Sequence, residues 1–116
     1  LMAHCSSLDI NEYQYKARRT AIYPSVGSNM TYPTLGLAGE AGEVAEKVKK
    51  VIRDKGGVFD DDTRAAISKE LGDVLWYVAQ IASELNVDLS NVAQQNLEKL
   101  ADRAQRGKIK GNGDDR

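Results

Sequence analysis

After Pro33 the chain carries no further proline. Nothing in the remainder forbids a long helix, and its apolar residues recur at helical spacing rather than alternating. Four helical segments follow. The first spans residues 9–22, with Asp9 as N-cap and Glu12 three positions on, a capping-box pattern. Residues 23–33, rich in Pro, Ser, Gly and Asn, read as a loop. The second segment runs over 34–54 and stops before Gly56-Gly57. Asp60, Asp61 and Asp62 offer caps for the third, which reaches about Leu85. Asp88 offers one for the fourth, which ends near Arg106 with Gly107 just beyond. The expected fold is all-α: a four-helix protomer whose bundle is completed by homo-oligomerisation.

A chain of 116 residues supports one domain. We divide it into an N-terminal extension (1–8, read as an expression remnant because the first residue is not Met), a helical domain (9–107) and a polar tail (108–116). A formal charge of -1 gives no global attraction to nucleic acid or to an anionic membrane. Cys5 stands alone, so no intrachain disulfide forms, and its terminal position suggests an inert thiol. With no apolar run of about 20 residues and no secretory signal, a cytoplasmic location is expected.

Chemistry concentrates in two acidic pairs, Glu40 with Glu43 and Glu70 with Asp73. Each is spaced i,i+3, which puts both carboxylates on one side of a helix. Projected at about 100° per residue, helix two buries Leu37, Ala41, Val44, Val48, Val51 and Ile52. Helix three buries Ile67, Leu71, Val74, Leu75, Val78, Ile81 and Leu85. Glu40 and Glu70 then lie about 70° off their core faces and Glu43 and Asp73 about 130° off. If the two helices pack side by side, both pairs rim one cleft, an oxygen-rich cage suited to a hard divalent cation. Glu46 points away. Either pair alone would be an ordinary solvated helix face. Two pairs with matching offsets, set among Gly36, Ala38, Gly39, Gly42 and Gly72, suggest close approach by a helix or a ligand, because a helical glycine costs about 1 kcal/mol against alanine.

On helix four, Asn96, Lys99 and Arg103 line one edge of the stripe Ala93, Leu97, Leu100 and Ala104. Lys99 and Arg103 are either surface cations or phosphate ligands, Arg in bidentate fashion. Trp76 projects about 170° from the helix-three core face. It either packs on the N-terminal helix and loop or lies in an oligomer interface. Tyr77 shares the acidic flank. A P-loop is absent, and His4 is the only histidine, which argues against di-iron and zinc chemistry.

The segments Leu35-Gly-Leu-Ala-Gly-Glu-Ala-Gly-Glu-Val-Ala-Glu46 and Lys69-Glu-Leu-Gly-Asp-Val-Leu-Trp-Tyr-Val78, with Asn96…Lys99…Arg103 downstream, resemble the MazG-like nucleotide pyrophosphohydrolases of the all-α NTP pyrophosphatase superfamily. The resemblance spans nearly the whole chain. It implies cleavage of a nucleoside triphosphate to the monophosphate and pyrophosphate, with Mg²⁺ as cofactor and Mn²⁺ as a substitute. The implied assembly is a homodimer, further a homotetramer, with the site near a partner subunit. By motif match Glu40, Glu43, Glu70 and Asp73 would bind metal, and Glu40 or Glu43 would handle the water. Lys99 and Arg103 would hold phosphates, with Asn96 and Tyr77 nearby. Gln14, Arg18 and Tyr32 would contribute to the base pocket, and the tail would fold over the ligand. Two alternatives stay open: a phosphoribosyl-ATP pyrophosphohydrolase and a non-catalytic helical oligomer.

Overall fold

The computed structural model describes residues 7–107. The expectations for His4, Cys5 and the 108–116 tail lie outside them. Among the described residues every regular element is a helix: α1 (Ile10–Arg18), α2 (Thr31–Lys55), α3 (Asp61–Glu84) and α4 (Leu89–Gly107). Helices α2 and α3 pack along each other, α1 packs on α3, and α4 packs on α1. No described helix is long and apolar enough to cross a membrane.

The caps explain where the helices begin. The Asp9 side chain accepts from the Glu12 N–H at 2.7 Å, so the first half of the capping box forms. Helix α1 is shorter than the sequence pattern suggests. The Thr20 hydroxyl donates to the Ala17 carbonyl at 2.7 Å, and this competing bond accompanies the end of the helix at Arg18. Helix α2 begins three residues before the expected Thr34. Asn29 accepts from the Tyr32 N–H at 3.0 Å, and Pro33 sits in the first turn, where its missing N–H leaves no bond unmade. Gly56, left-handed at φ 63°, ends the helix as expected. Asp60 caps α3, accepting from the Thr63 N–H at 2.8 Å. Lys55 braces this turn with bonds of 3.1 Å to Asp60 and Thr63.

Helix α4 is capped from elsewhere than Asp88. The Leu89 N–H donates to the Gln14 side-chain carbonyl at 2.8 Å, and the Ser90 N–H to that of Asn11 at 3.0 Å. Both acceptors stand on α1, so two of the orphan donors of α4 are satisfied by a helix some 75 residues earlier.

The α2–α3 seam corrects the projected core faces. On α2 the less exposed positions are Pro33, Gly36, Leu37, Glu40, Val44, Lys47, Val48 and Val51. On α3 they include Thr63, Ile67, Glu70, Val74, Tyr77, Gln80 and Glu84. The seam is rotated by about one residue toward the acidic flank, so Glu40 and Glu70 lie within it rather than beside it. Leu71, Leu75, Leu85, Ile52 and Ala41, expected inside, are exposed. The rotation is possible because small residues carry the innermost contacts. Ala17, Ala79, Ala82 and Leu89 form the buried cluster, with Tyr13, Trp76 and Val78 packed against it. Burying Leu89 alone contributes about 2 kcal/mol.

Trp76 is therefore not the exposed indole of the helical projection. It is half-buried against this cluster, and its indole N–H donates to the Thr20 hydroxyl at 2.9 Å. Packing on the N-terminal helix, one of the two sequence readings, is what the structure contains. The glycines also divide. A Cβ on Gly36 would run into the Tyr77 ring, whereas one on Gly39, Gly42 or Gly72 meets open space. Only Gly36 is required by an approach within the described residues.

Candidate metal centre and its surroundings

Because the seam runs through the acidic flank, carboxylate oxygens of Glu40, Glu70 and Asp73 come within 4.8 Å of one another. Glu40 and Glu70 are half-buried and Asp73 is exposed. Glu43 is exposed and outside this group. The Glu40 carboxyl is raised above its ordinary range. It shares a hydrogen bond with Glu70, it is partly desolvated, and the charges of Asp73, Glu70 and Glu43 oppose its ionisation. One oxygen of Glu70, Oε1, is buried without a hydrogen-bond partner. The other, Oε2, faces the Lys47 ammonium at 3.6 Å.

Three converging carboxylates, one with a buried oxygen that no described residue satisfies, form an oxygen-rich donor set. Buried polar atoms are nearly always partnered, and like charges at this spacing repel. A hard divalent ion would answer both conditions, so the residues present fit such an ion.

Aromatic side chains stand around the carboxylates. Tyr77, packed over Gly36, has its hydroxyl pKa raised by burial and by the charges of Tyr32, Glu40 and Asp73. That of Tyr13 is raised by burial and by Asp73. Tyr32 stacks on Tyr23 with centroids 5.1 Å apart, and Trp76 meets Tyr77 edge-on at 5.0 Å.

Gln14 and Arg18, matched to a base pocket, are engaged inside the protomer. The Gln14 amide donates to the Val87 carbonyl at 2.9 Å and to Ser83 at 3.2 Å, while its oxygen caps α4. Arg18 donates to Tyr23, to the buried Gln80 and to Glu84 at 2.7, 2.9 and 3.2 Å. Glu84 is the hub of this second cluster. Its side chain, 1% exposed, also accepts from the Tyr23 hydroxyl at 2.5 Å and from the Gly27 and Asn29 N–H groups at 2.8 and 3.1 Å. Burial pushes its pKa up, but the bonds from Tyr23, Gly27, Asn29 and Arg18 prevail and hold it at about 2.

The Asn96, Lys99 and Arg103 edge of α4 does not pack beside the carboxylates within one chain. Beyond Leu89, α4 has no sizeable packing on α2 or α3. Asn96 and Lys99 are exposed, and Arg103 is half-buried with its Nε unpartnered among the described residues.

Sequence reasoning missed Glu84 and Lys47. The signal for Glu84 was a carboxylate in the last turn of α3, with no basic residue there to offset it. The helix dipole disfavours that charge, so other donors had to hold it. Lys47 stands four residues after Glu43, which suggests an intrahelical pair. The rotated seam turns it across to Glu70 instead.

No solved structure matches the chain. A relative, the Gene 37 protein of Mycobacterium phage L5, is 51% identical over 114 residues, covering 94% of this chain and all of that protein. Its name states no activity. The model of the MazG nucleotide pyrophosphohydrolase domain matches residues 30–107, from the start of α2 through α4, and so includes both acidic pairs and the Asn96…Lys99…Arg103 edge. The chain belongs to the MazG nucleotide pyrophosphohydrolase domain family.

Proposed function

We propose that the protein hydrolyses a nucleoside triphosphate, ribo or deoxy, to the monophosphate and pyrophosphate, in nucleotide-pool control. The observation that carries this reading is the Glu40, Glu70 and Asp73 group within a MazG domain. Mg²⁺, or Mn²⁺ in its place, would be held by these three carboxylates and would screen phosphate charge when bound. Glu43, one turn from Glu40 and outside the group, is the carboxylate available to orient a water and take its proton. The water oxygen bonds to the α-phosphorus. The bond from that phosphorus to the bridging oxygen breaks, and pyrophosphate leaves with the electron pair. The Tyr77 ring, fixed over Gly36, borders the carboxylates, and Tyr32 stands beside it to receive the nucleoside.

Lys99 and Arg103 would reach the phosphates from a second copy of the chain. What supports this is the apolar surface one chain leaves open: Leu35 is 67% exposed, Leu71 54% and Leu97 60%. Solvent-facing leucines on three helices are the kind of surface a homo-oligomer covers.

The test is a panel of NTPs and dNTPs with Mg²⁺ and identification of both products. Monophosphate and pyrophosphate are expected. Release of orthophosphate, or full activity in Glu40→Gln, would overturn the reading. Light scattering tests the assembly: Leu71→Asp should convert an oligomer to a folded monomer.

A further inference from the structure

We propose that Lys47 limits the acidic centre to one divalent cation per chain, by occupying the side of Glu70 that a second ion would need. The inference rests on the metal-site reading above and adds a stoichiometry to it.

A carboxylate that bridges two metal ions uses one oxygen for each, and the ions of such centres lie about 3.5–4 Å apart. The two oxygens of Glu70 are in different situations. Oε1 is buried and unpartnered. Oε2 faces the Lys47 ammonium at 3.6 Å. An ion bound to Oε2 at about 2.1 Å would have this ammonium as an immediate neighbour of like sign. Oε1 has no partner among the described residues, whereas Oε2 already faces a cation.

Lys47 is not placed as a free surface lysine. It belongs to the seam positions of α2, two turns beyond Glu40 on the same side, whereas Lys49 and Lys50 are exposed. Lys49 pairs with Glu46 on its own helix at 3.3 Å. Lys47 reaches across to α3. A partly exposed ion pair contributes little to stability, so the consequence of this one lies in the charge it presents to the carboxylates.

The experiment titrates Mn²⁺ alone into the full chain, read by calorimetry and by Mn²⁺ electron paramagnetic resonance. The wild type should bind one Mn²⁺ per chain. Lys47→Met and Lys47→Gln should bind two, with a spin-coupled spectrum. Lys47→Arg and the control Lys49→Met should stay at one. Circular dichroism checks that each variant is folded, and two neutral variants guard against the failure of either. Two Mn²⁺ in the wild type, one in both neutral variants, or two in Lys49→Met would overturn the proposal and leave the metal site standing. No Mn²⁺ binding by the wild type would remove the metal site and this inference together.

Discussion

Helix α3 carries two sheltered carboxylates four turns apart, and they are treated in opposite ways. Glu84 accepts from two side chains and two backbone N–H groups and ionises near 2. Glu70 keeps one oxygen buried and unpartnered, within 4.8 Å of two other acids. The first is saturated by the protein and closes the 19–30 connection onto the end of α3. The second is left unsaturated by the described residues, the condition under which a carboxylate can still take a ligand. Shelter on one helix therefore says little about role. The supply of donors separates the two.

The largest expected effect breaks the unsaturated side. Glu70→Gln should lower kcat/KM at least about 100-fold, as loss of a metal ligand does. Thermal melting of the metal-free variant should match or exceed that of the wild type, because a like charge has been removed. On the saturated side, Glu84→Gln should cost about 3 kcal/mol in denaturant unfolding, since it leaves Arg18 without its charge partner. A drop in activity there should parallel the fraction unfolded.

A smaller effect tests the wall between the two regions. Gly36→Ala would force a methyl against the Tyr77 ring and should destabilise by about 2 kcal/mol. The double variant Gly36→Ala/Tyr77→Ala should behave less than additively.

The smallest effect is one of pH, and its sign differs between the regions. Glu84 ionises lower in the folded chain than in the unfolded one. Its contribution is complete above the ordinary carboxylate range, about 4.5, and fades as pH falls toward 2. Glu40 ionises higher when folded, so the folded chain holds the extra proton. Its contribution is present below the ordinary range and is lost as pH rises through the raised value. Urea midpoints against pH, in chelator and then in Mg²⁺, should separate the two. Metal should cancel the Glu40 limb and leave the Glu84 limb in place.

The helix count, the Gly56 stop and the Asp9 and Asp60 caps were legible because they depend on neighbours within a few residues. The acidic pairs were legible for the same reason; of their four carboxylates Glu40, Glu70 and Asp73 come together between α2 and α3, and Glu43 does not. The direction of the core was not. Leu71, Leu75 and Leu85 mark an apolar stripe without saying what lies against it, and helical projection assigns the largest stripe to the protomer's interior by default. The positions nearest the α1–α3 contact are alanines, which carry a weak signal. The tasks of Gln14 and Asn11 were invisible too, since an amide that caps a helix 75 or more residues away leaves no spacing to read.

The short turn between α2 and α3, pinned by Lys55, Asp60 and Thr63, sets how far along the chain the acidic residues lie from one another. Glu40 and Glu70 are 30 residues apart and belong to one helical hairpin. The bonds that satisfy Glu84 span 55 to 66 residues, and those that start α4 span 75 to 79. Contacts local in sequence close shorter loops at a lower entropic cost. The carboxylates therefore meet through the shorter of these connections, and a divalent cation bound there would tie one helical hairpin together rather than the whole chain.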